Sequence, residues 1–195
     1  MKDLKFIAFL LSITFLVACK NEKKTEEVIE VEKIEVEKVK TETTDKKTMT
    51  ITLSPKSEST VSGTVNFVQE NGQVKLAANM TGLTEGVHAI HIHQTADCSS
   101  VDGKSAGGHW NPTAQPHGKW GTEEGYHKGD IGNFTVEADG LGAIKMMTDE
   151  WCIGCGDKNK DILGKAIIVH QGTDDFTSQP SGAAGARVSC AGIIE

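Results

Sequence analysis

The chain reads as an all-β protein, with one domain of eight antiparallel strands closed as a barrel or sandwich over residues 48–195. Three observations predict this. Eight short runs of strand-forming residues recur after Thr48. All 21 glycines lie at or beyond Gly63, so the same region is dense in turns. No long apolar pattern of period 3.6 crosses it, which argues against helices.

The strand runs are Met49–Leu53, Val61–Val68, Gln73–Met80, Val87–His93, Ile131–Val136, Leu141–Met147, Ile162–His170 and Ala186–Ile194. Asn71-Gly72 and Asp139-Gly140 separate neighbouring runs and are hairpin signals, because both residue types tolerate positive φ. Two long loops remain, at about 94–130 and 171–185. Connections of that length usually carry function or are stapled. The first holds Cys98, His109, His117, His127 and Asp130.

Two segments precede the domain. Residues 1–19 read as an export signal. Lys2 and Lys5 make a basic start, and Phe6 to Val17 is an apolar run too short to span a bilayer as a helix. It ends in Leu16-Val17-Ala18-Cys19, which resembles a bacterial lipobox with Cys19 as the acylated residue. An ordinary signal peptide is the plainer alternative. Residues 20–47 are low in complexity and rich in Glu, Lys and Val, with too little apolar bulk for a core. They read as a charged tether. The expected location is the cell envelope, as a lipoprotein on the periplasmic face of the outer membrane or on the cell surface.

The formal charge is −7. Residues 48–195 account for it, with ten Lys and Arg against seventeen Asp and Glu. An acidic surface argues against nucleic-acid binding, and an anionic substrate would need a local positive patch. Five cysteines are an odd number for an exported protein. Setting Cys19 aside leaves Cys98, Cys152, Cys155 and Cys190, which can close two disulfides in three ways and would do so in an oxidising compartment.

The chemistry lies in the histidines. In Val87-His88-Ala89-Ile90-His91-Ile92-His93, strand alternation sends His91 and His93 to one face. His88 shares the parity of Ile90 and Ile92 and so belongs to the other face. Two nitrogens make half a metal site, and His109, His117, His127, Asp130 and His170 are available to complete it. Many imidazoles with one carboxylate suit copper(II) and zinc better than calcium or magnesium.

These residues stand in segments that resemble copper/zinc superoxide dismutases. The segments are Gly86-Val87-His88-Ala89-Ile90-His91-Ile92-His93, Gly107-Gly108-His109-Trp110-Asn111-Pro112, Pro116-His117-Gly118, His127-Lys128-Gly129-Asp130-Ile131-Gly132-Asn133, Val169-His170 and Gly185-Ala186-Arg187-Val188-Ser189-Cys190-Ala191-Gly192. The resemblance spans about 48–194, and Gly-Gly-His-Trp leans toward the exported bacterial branch. It implies a Greek-key barrel or sandwich in which His91, His93, His109 and His170 hold copper. It likewise assigns His109, His117, His127 and Asp130 to zinc, so that His109 is shared. His88 becomes a structural hydrogen-bonding residue. Asp174 matches a carboxylate that orients a ligand of each metal, with Asp175 able to exchange roles with it. Arg187 matches the arginine of the copper channel. Residues 171–185 contain no lysine, a departure from many relatives, and Lys119 or Lys128 could substitute in steering.

The same resemblance pairs Cys98 with Cys190. Cys152 and Cys155, in Trp151-Cys152-Ile153-Gly154-Cys155-Gly156, depart from the family pattern. A local disulfide is the first expectation; a redox-active or metal-capturing pair and two free thiols are the alternatives. The implied activity is conversion of superoxide to dioxygen and hydrogen peroxide. The rival is a non-catalytic copper- and zinc-binding lipoprotein that stores or delivers metal. Monomer and homodimer both remain open.

Overall fold

The computed structural model describes residues 46–195. The signal, the acylated Cys19 and nearly all of the tether lie outside the described residues. The strands are β1 (Lys47–Pro55), β2 (Ser62–Glu70), β3 (Gln73–Thr81), β4 (Gly86–His93), β5 (Gly132–Val136), β6 (Gly142–Thr148), β7 (Ala166–His170) and β8 (Arg187–Gly192). They close an antiparallel barrel in the order β1-β2-β3-β6-β5-β4-β7-β8. After β4, β5 and β6 have run side by side, β7 returns to lie beside β4, which is the Greek-key arrangement. Among the described residues the one helical element is a single 3-10 turn at Lys104–Ala106.

The turn signals act as expected. Asn71 (φ 52°) and Gly72 (φ 76°) form the two-residue link between Glu70 and Gln73, which face each other across β2 and β3. Asp139-Gly140 turns the chain between β5 and β6, with the Leu141 amide donating to Asp139 Oδ1 at 3.0 Å. β7 is much shorter than expected, while β5 and β8 are trimmed by one and three residues. Residues 162–165 form a turn in which the Gly164 amide donates to Ile193 O at 2.9 Å, so β7 begins only at Ala166.

Alternation splits the molecule into a core and an outer face. Val65, Phe67, Leu76, Ile90, Ile92, Ile167 and Val169 point inward and are essentially inaccessible. Each such side chain contributes about 1.5–3 kcal/mol through burial. On β1 the outward residues Thr50 and Thr52 meet solvent, whereas β7 is buried on both faces. Its outward Ala166 and Ile168 pack with Ala106, Cys190 and Cys98 under the first long loop. That covered outer face of β4 and β7 carries the histidines. Between Val169 and His170 the register against β8 slips, so that His170 pairs with Arg187. The extra residue sends Val188 into the core, and Arg187 stays opposite His170.

Candidate metal centre

His91 and His93 leave β4 on its outer face, opposite Ile168 and Ala166 of β7. His170 ends β7 on the same face. His109 arrives from the long loop, which runs back along β4. Trp110 N donates to Ile92 O at 2.8 Å, and Gln94 N donates to Gly108 O at 3.0 Å. His93, His109 and their neighbours thus form a short extra ladder. His91, His93, His109 and His170 are all buried, with one donor atom from each within 4.8 Å of the others.

Hydrogen bonds decide which nitrogen each ring has left. His91 Nε2 lies 2.8 Å from Asp174 Oδ2, and His91 Nδ1 has no partner among the described residues. His93 Nδ1 donates to Gly107 O at 2.9 Å, leaving Nε2 only 3.4 Å from His170 Nε2. His109 Nδ1 lies 2.8 Å from Asp130 Oδ1, and its Nε2 has no partner. Buried polar atoms are nearly always satisfied. Two unpartnered nitrogens, on His91 and His109, beside a His93–His170 pair whose Nε2 atoms meet only each other, are what a bound cation would satisfy, so the donor set fits copper.

The second group is His109, His117, His127 and Asp130, again buried and mutually within 4.8 Å. Asp130 is its hub. Its carboxylate meets His109 Nδ1, His117 Nδ1 at 3.0 Å and His127 Nδ1 at 3.3 Å. Backbone amides of His127 (2.8 Å) and Gly118 (3.2 Å) donate to Oδ2 and aim it. Three imidazole nitrogens and one carboxylate make a closed four-donor set of the kind zinc takes. His109 belongs to both groups.

The electrostatics of Asp130 and of three of the rings favour metal binding. Burial opposes ionisation of Asp130, but hydrogen bonds from His109, His117 and His127 hold its carboxyl far below the ordinary carboxylate range. Burial, followed by the neighbouring His109 and His170 rings, pushes His93 well below the ordinary imidazole value. Burial likewise depresses His170. For His109, burial outweighs the Asp130 hydrogen bond and lowers the ring to about 4. These rings therefore stay neutral, the form that offers a lone pair to a metal. Burial also works against charging His117, but its hydrogen bonds to Asp130 and Asp174 prevail and raise it to about 9.

Asp174 ties the two groups together. One oxygen meets His91 and the other lies 2.9 Å from His117 Nε2. Asp175 is exposed and instead accepts from Thr177 and Ser178. Asn133 on β5 clamps Asp174 through two backbone contacts of 2.8 and 2.9 Å. His88 faces the other way, with Nδ1 at 3.0 Å from His170 O and Nε2 at 2.8 Å from Thr84 O.

A cleft of about 560 Å³ opens over His93, His109 and His170. Arg187 lines it, half-buried, with Nη1 donating to Gly103 O at 2.8 Å. Lys104 also lines it, exposed and paired with Asp102 at 2.9 Å. Neither lysine suggested by the sequence takes that place. Lys128 is bound to Glu150, and Lys119 is exposed outside the cleft. Lys104, Asn133 and Gly182, whose backbone abuts Asp174 and His117, are site residues that sequence reasoning missed. Only Asn133 had a signal, as the end of the His127–Asn133 segment. Cys98 is bonded to Cys190 with Cα atoms 5.8 Å apart, and Cys152 to Cys155 at 6.0 Å.

The profile of the family described as Copper/zinc superoxide dismutase (SODC) matches residues 61–193. Superoxide dismutase (Cu-Zn) 2 of Aquifex aeolicus (strain VF5) is 33% identical over 141 residues, 71% of this chain and 81% of that protein. A crystal structure of a SOD-like protein from Bacillus subtilis superposes with a TM-score of 0.66 at 29% identity, covering 74% of this chain and 97% of that one. A double mutant of that protein gives a TM-score of 0.65 at 30% identity, with 75% and 97% covered. By its matched length and its relatives, the chain belongs to the copper/zinc superoxide dismutase family.

Proposed function

We propose that this chain dismutates superoxide, holding copper with His91, His93, His109 and His170, and zinc with His109, His117, His127 and Asp130. The observation that carries this reading is the position of His109, whose Nδ1 is committed to the Asp130 group while Nε2 is left for the other. Copper held by these four rings would supply the one-electron couple that the reaction needs.

The chain's own residues do the rest. Asp174 holds His91 and His117 in fixed ring orientations, so both donor groups are preorganised. His109 is the shared ring, because one nitrogen serves each group. Arg187 offers the guanidinium donors not used on Gly103 to a small anion at the cleft floor. Lys104 adds positive potential at the rim of an otherwise acidic protein.

The cell-envelope location, with Cys19 lipidated, is part of the same proposal. Two disulfides in one domain support an oxidising compartment. Loss of membrane fractionation in Cys19→Ser would test the anchor. For the activity, the domain loaded with both metals is assayed for superoxide consumption, with metal content measured on the same sample. Rapid consumption is expected, and its loss in His109→Ala. Full occupancy without turnover would favour metal storage and overturn the reading.

A further inference from the structure

We propose that Cys152 and Cys155 form a second redox site, a thiol–disulfide exchange centre that a dithiol reductant opens while Cys98–Cys190 stays closed. The pair belongs to neither histidine group and has no part in the chemistry above.

Three features separate it from the other disulfide. The first is access. Cys155 is exposed, whereas in the other bond Cys190 is 1% exposed and packed against Ala106, Ala166 and Ile168, and Cys98 is half-buried against the same cluster. Exchange needs in-line approach of a thiolate to one sulfur, so exposure selects Cys155 as the atom attacked. The second is independence of the fold. The pair closes a separation of 3 residues, against 92 for the other. A loop that short restricts the unfolded chain little, so the domain does not depend on it for stability.

The third is that other contacts hold the loop. Asp161 Oδ1 accepts from the Gly154 and Leu163 amides at 2.9 and 3.1 Å, and Oδ2 from Gly156 at 2.8 Å. Cys152 N donates to Lys160 O, and Ile162 N donates to Cys152 O. Lys47 Nζ donates to Ile153 O at 2.7 Å. These bonds persist when the sulfurs part and keep them facing for reclosure. The Asp157 amide lies 3.5 Å from Cys155 Sγ, placed to stabilise a thiolate there.

The step balances with a dithiol as co-reactant. Its thiolate attacks Cys155 Sγ, forming a mixed disulfide as Cys152 leaves as thiolate. The second thiol then attacks the reductant's own sulfur, and Cys155 leaves toward the Asp157 amide. Two electrons and two protons pass to the protein, and the reductant departs as its disulfide.

The test treats the folded, metal-loaded protein with limiting dithiothreitol, quenches with an alkylating agent over time and maps the labelled peptides. Cys152 and Cys155 should label at least about tenfold faster than Cys98 and Cys190. The opened protein should keep its circular dichroism, and oxidised dithiothreitol should reclose it. Cys152→Ser/Cys155→Ser should lack the fast phase. Equal or faster opening of Cys98–Cys190, or loss of the folded signal as the short loop opens, would overturn the proposal.

Discussion

Gly182 lies so close to Asp174 that a Cβ built on it would stand 1.7 Å from Asp174 Oδ1, and 2.6 Å from His117 Nε2. Its φ of 69° is also one that side chains rarely adopt. The second loop can therefore press its backbone against the Asp174–His117 contact only because residue 182 has no side chain. Gly182→Ala should displace the carboxylate that orients His91 and His117. Loss of such a supporting contact typically costs about 10- to 100-fold in metal affinity. Competition with a chelator measures it, and unchanged affinity for both metals would show that the carboxylate does not hold the rings.

Arg187 and Lys104 should separate by magnitude. Arg187 sits beside the histidines and is anchored to Gly103, whereas the Lys104 side chain is 78% exposed and screened by Asp102. Focused charge raises association rates by about 10- to 1,000-fold, while a rim charge does much less. Arg187→Ala should lower kcat/KM for superoxide by about tenfold or more and flatten its dependence on salt. Arg187→Lys should restore part of the rate, as it keeps the charge but not the planar donor pair. Lys104→Ala should cost about twofold, and that mostly at low salt. Equal losses from both alanines would mean that net charge, and not position, does the steering.

Glu150 fastens the loop that carries His127. It accepts from Tyr126 Oη at 2.5 Å and is paired with Lys128, while Trp151 Nε1 donates to Lys128 O at 2.8 Å. These contacts bracket His127. Glu150→Ala leaves a half-buried hydroxyl and ammonium unpaired, a cost of about 1–3 kcal/mol. The domain should melt about 3–8 °C lower by calorimetry. Zinc should be lost to a chelator more readily than copper, because His127 belongs only to the second group. A parallel loss of both metals would place the effect elsewhere.

How much of this was legible in the residues follows from how far each inference had to reach. Strand alternation is local, so the shared face of His91 and His93, and the opposite face of His88, could be read directly. The two-residue turn at Asn71-Gly72 was equally local. Register and loop docking are not. The slip beside His170 that sends Val188 inward leaves no mark in Arg187-Val188-Ser189, which reads as ordinary strand alternation. Residues 162–165 look strand-like by composition, but the Gly164 turn claims them. Lys104 reaches the cleft only because the loop from 94 folds back along β4, whereas Lys128, next to His127 in sequence, is captured by Glu150. Choosing Asp174 over Asp175 likewise needed the burial of one and the exposure of the other.

The Cys98–Cys190 bond should act on both stability and rate. It joins residues 92 apart, and closing a loop of that size is worth about 4–5 kcal/mol in the chain-entropy treatment. Cys98→Ser/Cys190→Ser should lose stability of that order, read as a fall in the denaturant midpoint with a rise in m, because the unfolded chain is no longer cross-linked. The bond also pins the loop that carries Gly103, whose carbonyl orients Arg187. At temperatures where the variant is still folded and metal-loaded, its kcat/KM should fall toward that of Arg187→Ala, because a freed loop no longer holds the guanidinium beside His170. Combining the two changes should then add little beyond either alone, since both remove the same placement of charge. Full additivity would show that the disulfide and Arg187 act independently.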